Sequence, residues 1–398
     1  MALLSFFILL LLVALPLGSF SRITLGLTIS FSFLDVLVVL GTGIWIGKKI
    51  FEKSRPTSLA SKLFLSVVGI FTLSLLINSP HLSLNKVAIS ALYIIRFACF
   101  GLLYFMVKES PNVFKKKLST LLTISGTLLV AGGYIQYFLY PSLRNLIYFG
   151  WDEHFYRMFG VFLDPNFFGL FLTIFFLYSV AQLFSLKGKV KKWVLIFQIA
   201  LVVSIFVAIF LTYSRTTLLA LFCGIIVLFW NKQFWKWMML GLFGVGLSGL
   251  LLFSLTPHAT QINSLFRAAS TEARVGSARD AVIIFMDNPI IGVGFNAYRY
   301  SMYSHHFQVA PSIQEDHGAS GADSSLLLVL ATSGVIGFTA YILFLSSHLK
   351  ALLVSKKKEG LAILVALLVG SFFVNGLFYP SLLVWLWIIL GITESASQ

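Results

Sequence analysis

Charge is what this sequence has least of. Asp, Glu, Lys and Arg together make up 11% of its 398 residues, against about 25% in a soluble domain. So few charges cannot cover a water-soluble surface. Cysteine is nearly absent: Cys99 and Cys223 both lie inside apolar runs, so neither a disulfide framework nor a cysteine-based metal site is expected. The outward-facing segments defined below carry no Asp-x-Asp, His-x-x-x-His or Glu-x-x-His pattern, which argues against a catalytic metal. A nucleotide-type phosphate loop is missing from the inward-facing segments, which argues against an ATP-driven pump. No cofactor is expected.

Apolar residues, by contrast, reach 58%, with 40 Phe and 8 Trp. They fall in continuous runs along the whole chain. A run of about 20 crosses the hydrocarbon layer, and unbroken rather than alternating runs mean helices, not a barrel. The spans read 2–18, 25–46, 59–77, 87–107, 118–138, 162–184, 193–213, 216–231, 236–256, 324–346, 360–376 and 379–393. The fold class is therefore all-α integral membrane, with about 12 transmembrane helices and a large extracytoplasmic loop. The first run resembles a signal peptide in length but lacks a basic leader, and reads as a retained helix. Three regions follow: nine helices in 1–256, a loop subdomain in 257–323 and three helices in 324–398.

The formal net charge of +15 would suggest nucleic acid on a soluble protein. Here the lysines sit in short alternate loops, at Lys48, Lys49 and Lys53, at Lys108 and Lys115 to Lys117, at Lys187 to Lys192, at Lys232, and at Lys350 and Lys356 to Lys358. That asymmetry marks the cytoplasmic side, places both termini there, and makes the lipid bilayer the partner instead of nucleic acid.

The opposite side carries arginine: Arg22, Arg144, Arg157, Arg215, Arg267, Arg274, Arg279 and Arg299, with Lys86 its one lysine. The topology rule treats the two cations alike and does not explain the segregation. Guanidinium is a planar fork that grips phosphate or carboxylate through paired hydrogen bonds. One reading is contact with lipid headgroups or loop carboxylates. The other is a site for an anionic, phosphorylated ligand at the outer face.

Four stretches carry the candidate chemistry. Arg157-Met-Phe-Gly160 leads into Asp164-Pro165-Asn166, where Asp164 and Pro165 suit the N-cap and first turn of a helix. Capping requires neither Asn166 nor Arg157. Arg215 lies at a span junction within Thr-Tyr-Ser-Arg-Thr, either snorkelling to headgroups or serving function. The run from Glu272 to Gly294 reads as an amphipathic helix carrying Arg274 and Arg279, ended by Asp-Asn-Pro and a Gly-Val-Gly turn suited to close backbone packing. Asp323-Ser324 then heads an apolar helix, with Asp323 as its N-cap or as an acid that orients a sugar hydroxyl. His305, His306 and His317 precede it as loop histidines. Aromatics of the 139–161 loop fit either a membrane-interface belt or a stacking surface for sugar rings.

In this order the motifs resemble the O-antigen polymerase and O-antigen ligase superfamily, over roughly residues 155 to 390, with Asn375 and Trp387 fitting in the last two spans. The resemblance implies a metal-independent glycosyltransferase of the C type. It would act on undecaprenyl-diphosphate-type, lipid-linked glycan at the outer face of the cell membrane, alongside a flippase and a chain-length regulator. It also implies functional roles for Arg157, Arg215 and Arg274 by motif, with Arg279 and Arg299 as weaker matches. Ligases of the family carry His-Asn where this chain has Asp323-Ser324, so the departure points to a polymerase; His317, six residues upstream, substitutes poorly. Under this reading Arg157, Arg215, Arg274 and Asp323 are catalytic, and Arg279, Arg299, Asn166, Asp164 and His317 bind substrate. Transfer to lipid A core, protein or wall acceptors, and transport of an anionic solute past Arg96 and Asp35, are the alternatives.

Overall fold

The computed structural model describes residues 2–25, 29–53, 58–149, 154–186, 191–230, 259–305, 307 and 321–395. In chain order the described helices are α1 (Ala2–Ala14), α2 (Phe33–Phe51), α3 (Leu59–Asn78), α4 (Leu84–Lys108), α5 (Asn112–Leu139), α6 (Pro165–Ser185), α7 (Lys192–Leu211) and α8 (Arg215–Leu228). They continue with α9 (Ala259–Asp287), α10 (Tyr298–Ser304), α11 (Ser325–Val354), α12 (Lys358–Gly370) and α13 (Pro380–Ser395). One small hairpin, β1 (Arg22–Leu25) with β2 (Ile29–Ser32), precedes α2.

Among the described residues six helical segments are long and apolar enough to cross a bilayer: Leu59–His81, Leu84–Lys108, Asn112–Leu139, Pro165–Ser185, Lys192–Leu211 and Ser325–Val354. Arg215–Leu228 and Pro380–Glu394 are shorter apolar helices. The chain is a multi-pass membrane protein. The span expected at 236–256 lies outside the described residues. The one expected at 25–46 begins later, at Phe33, for a local reason. Ser32 and Asp35 form a reciprocal capping box there, each side chain holding the other's backbone N–H. The apolar residues just before it pair as a strand, with Phe31 opposite Ile23.

The interior is built around α6 and α13. Trp385 of α13 is buried, with its ring edge-on to Phe171, Phe175 and Tyr178 of α6. α8 packs between α6 and α12, α13 lies along α4, and α11 lies along α3. Gly169 makes the α6–α8 approach possible, since a Cβ there would overlap the Thr217 side chain. Arg96 and Asp35, the intramembrane charges, face each other across α4 and α2 with Arg96 Nε 2.7 Å from Asp35 Oδ1. They neutralise one another, so neither is a lone counter-ion for a solute.

Contacts between loops sort by end. Lys49 reaches Glu109 at 2.7 Å, Lys115 Nζ donates to the Lys108 carbonyl, and Lys358 Nζ donates to the Trp230 carbonyl. Lys108 also lies 3.4 Å from Glu394 near the end of α13. At the other end Lys86 sits over the Tyr300 ring, and the arginines described below meet.

The 288–297 segment, after α9, plugs into the bundle at the arginine end. α11 breaks at Gly334 (φ 62°), and its freed carbonyls at Ala331 and Thr332 accept from the Val293 and Gly294 N–H groups. In return Val335 N–H donates to the Pro289 carbonyl, and Ser74 and Asn78 of α3 close the third side. Phe295, delivered by this turn, stacks on Phe71 at 4.2 Å between centroids. The Asp-Asn-Pro and Gly-Val-Gly signals are therefore a backbone clasp, as their glycines suggested.

Candidate functional site

The site is assembled where the first turns of α6 and α8 meet the middle of α9 and the head of α11. Asp164 is the N-cap of α6: its Oδ1 accepts from the Asn166 and Phe167 N–H groups at 2.6 and 3.1 Å. Pro165, which has no N–H to satisfy, fills the first position. This local geometry turns the Asn166 side chain toward α8. Ser214 caps α8, and its Oγ donates to Asn166 Oδ1 at 2.9 Å.

Arg274 bridges the two helices from α9. Its Nη1 donates to Thr216 Oγ1 at 2.9 Å and its Nη2 to Asn166 Oδ1 at 3.4 Å. One guanidinium thus reads α6 and α8 together, which a point charge cannot do. Burial weakens the charged form of Arg274, Asp323 and Asp164 support it, and Arg215 opposes it. Those influences place both acids and the second arginine within electrostatic reach. Arg215 is the first residue of α8, is exposed, and donates through Nη2 to Thr271 Oγ1 at 2.9 Å, one turn before Arg274 on α9.

Asp323 belongs to the same group but is not a cap. Ser324 is the N-cap of α11, its Oγ accepting from the Leu327 N–H. Both residue types cap well, and the backbone places Ser324 in the capping position. The Asp323 N–H donates to Ser277 Oγ at 3.0 Å. Ser277 is three residues beyond Arg274, on the same face of α9. The Asp323 carboxylate is left exposed beside Arg274.

Arg157 takes a different position. Its Nε and Nη2 donate to the carbonyls of Thr212 and Tyr213 at 2.9 and 3.4 Å, just past the end of α7. Terminal helix carbonyls lack partners within the helix and carry partial negative charge, so a guanidinium is a fitting cap. Arg157 thereby braces the turn that presents Ser214, Arg215 and Thr216. Gln136 of α5 fixes its loop, accepting from Phe159 and Gly160 N–H groups at 2.9 and 3.0 Å.

Arg279 is exposed on α9 and Arg299 half-buried on α10. Among the described residues, none of the contacts that define the cluster involves either. Arg144 is exposed on its loop. The side chains of Arg22 and Arg267, together with His306 and His317, lie outside the described part. His305 Nε2 lies 2.6 Å from Asp287 Oδ2 and joins the ends of α9 and α10. No group of three His, Cys, Asp or Glu side chains able to hold a metal occurs among the described residues.

The starts of three helices, two forked cations, four hydroxyls and one amide gather here, with two acids, Asp323 and Asp164, within electrostatic reach. Residues 199–342 match the family model described as O-antigen ligase. This match supports the O-antigen ligase and polymerase superfamily. No curated protein matches the chain. The matched segment contains Arg215, Arg274, Asp323 and the Gly334 clasp, while Arg157, Asp164 and Asn166 lie before it. Sequence reading missed Ser214, Thr216, Thr271 and Ser277 as individual partners; the hydroxyl-rich context of Arg215 was the one visible signal for the first two, and nothing marked the others. It also missed His154 and Gln136, which no motif marks.

Proposed function

We propose that this chain is a metal-independent, C-type glycosyltransferase that polymerises polyprenyl-diphosphate-linked repeat units into O-antigen, capsular or exopolysaccharide. Its single strongest support is the convergence of Arg274 and Arg215 with Asn166 and Thr216 at the arginine-bearing end of the bundle. That end faces outward from the cell membrane, both termini face the cytoplasm, and the 257–323 segment is the extracytoplasmic subdomain.

The donor's lipid lies among the spans and its diphosphate against Arg274 and Arg215, with Arg157 bracing the turn beneath. A hydroxyl of a second lipid-linked unit attacks the anomeric carbon, the glycosidic bond forms, and the carbon–oxygen bond to diphosphate breaks. The leaving group takes the electron pair. Forked donors aimed at that growing charge lower the barrier without reorganising. The Asp323 carboxylate orients the acceptor hydroxyl and takes its proton. Direct displacement inverts the anomeric centre. Arg279, Arg299 and His317 are assigned to the surrounding glycan, with a flippase and a chain-length regulator as partners.

A ligase reading is favoured by one observation, the match of residues 199–342 to the O-antigen ligase family model. Glycans from a deletion strain separate the two. Accumulated single lipid-linked units mean a polymerase, and intact lipid-linked ladders missing from their final acceptor mean a ligase. Arg215→Lys keeps charge and loses the fork. It should abolish chain lengthening while the protein still reaches the membrane, and normal ladders from that variant would remove Arg215 from the mechanism.

A further inference from the structure

His154 has no part in the chemistry above, yet it lies against it. The residue is 9% exposed. Its Nε2 is inaccessible and without a hydrogen-bond partner, a costly state for a buried polar atom. That nitrogen is 4.0 Å from Asp164 Oδ2, the oxygen not used for capping. The backbone is pinned at His154 and two residues after it: the Leu143 N–H donates to the His154 carbonyl and the Tyr156 N–H to the Pro141 carbonyl. Two charged groups face the imidazole, Asp164 from the start of α6 and Arg157 from its own loop.

This arrangement addresses a difficulty in the site. Asp164 is an anion within reach of Arg274, and an arriving diphosphate would be repelled by it. Without a bound anion His154 stays neutral, because burial outweighs Asp164 and Arg157 opposes a second cation; its pKa is lowered to about 4. A doubly charged anion seated on the arginines reverses that balance and favours imidazolium.

We propose that His154 is a positioning residue that takes up one proton from water when the diphosphate binds, and pairs with Asp164 Oδ2 so that this carboxylate no longer competes for the arginines. The proposal rests on the diphosphate reading of the site. The linkage has a definite sign. The bound state holds the extra proton, so affinity strengthens as pH falls toward the free-site value of about 4 and levels off at high pH.

The test is calorimetric titration of the full-length protein in detergent with a short-chain prenyl diphosphate glycoside. Both of its phosphates are esterified, so the ligand has no titratable proton of its own in the range used. Repeating the titration in buffers of different ionisation enthalpy counts protons. At about pH 5 the wild type should take up close to one proton, and bind at least about tenfold more tightly than at about pH 8. His154→Gln should take up none and bind with the same affinity at both. Asp164→Asn, which keeps a capping oxygen, should also lose the uptake, and decides the matter should the glutamine variant not fold. No uptake by wild type, or undiminished uptake by either variant, would overturn the role of His154 while binding itself continued. If wild type fails to bind the glycoside at all, the diphosphate reading falls first.

Discussion

Arg274→Lys should reduce the rate of glycan polymerisation by a hundredfold or more, with near-normal protein in the membrane. The magnitude is that of losing one preorganised donor aimed at transition-state charge, about 3–4 kcal/mol. Lysine preserves the positive charge and much of the reach, so simple attraction of an anion would survive. What it cannot preserve is the simultaneous hold on Thr216 Oγ1 and Asn166 Oδ1, because an ammonium is a point and a guanidinium a plane. The variant therefore separates charge from geometry at the most constrained cation in the cluster. Thr216→Val is the graded companion. It removes one hydrogen bond to a charged group, about 1.5–3 kcal/mol, and should slow the reaction by roughly ten- to 150-fold. Initial rates from purified protein in liposomes, supplied with lipid-linked repeat units, are the readout. A lysine variant within a few-fold of wild type would mean that Arg274 only ties α9 to the bundle, and the leaving-group clamp would have to be sought at Arg215 alone.

How far the sequence carries toward this site differs from residue to residue. Asp164 and Pro165 were legible because helix starts obey local rules: an acceptor before the first turn and no N–H at its first position. The Gly-Val-Gly turn was legible as close packing for the same kind of reason. The gathering of Arg215 and Arg274 was inferable only from their common side of the membrane, since they come from helices joined through a long stretch of chain. Asp323 could not be assigned from sequence, because it and Ser324 are both good caps and the choice depends on where the backbone turns. Arg157 reads like its fellow arginines in sequence but meets helix-end carbonyls in the fold. His154 carried no local signature at all; its meaning lies in the distance to Asp164, a tertiary quantity. The second span shows the opposite failure. Hydropathy alone extended it back to residue 25, where pairing and the Ser32–Asp35 box override the apolar count.

Gly334→Ala should be strongly damaging for a single-methyl change, and it should act on folding rather than chemistry. The position has φ 62° and ψ −169°, a region open essentially to glycine. A methyl there would also overlap the Ile290 carbonyl and the Ile291 nitrogen, both backbone and unable to swing away. Backbone strain of this kind costs about 1–3 kcal/mol before any clash is counted. Relief would require α11 to straighten, and that would withdraw the Ala331 and Thr332 carbonyls from Val293 and Gly294. Four inter-segment hydrogen bonds of the clasp, those to Ala331, Thr332, Pro289 and Ile290, would be lost or distorted together. The expected result is a lowered melting temperature of the detergent-solubilised protein and reduced steady-state abundance. Gly276→Ala on exposed α9, where a Cβ meets nothing within 4 Å, is the matched control and should be silent or slightly stabilising. Because the clasp ties α11, which Asp323 precedes, to the segment after α9, whatever Gly334→Ala protein survives should also show acid and arginines out of register. If that variant melts like wild type, the break in α11 is not what holds the 288–297 segment to the bundle, and the placement of Asp323 beside Arg274 rests on its hydrogen bond to Ser277 instead.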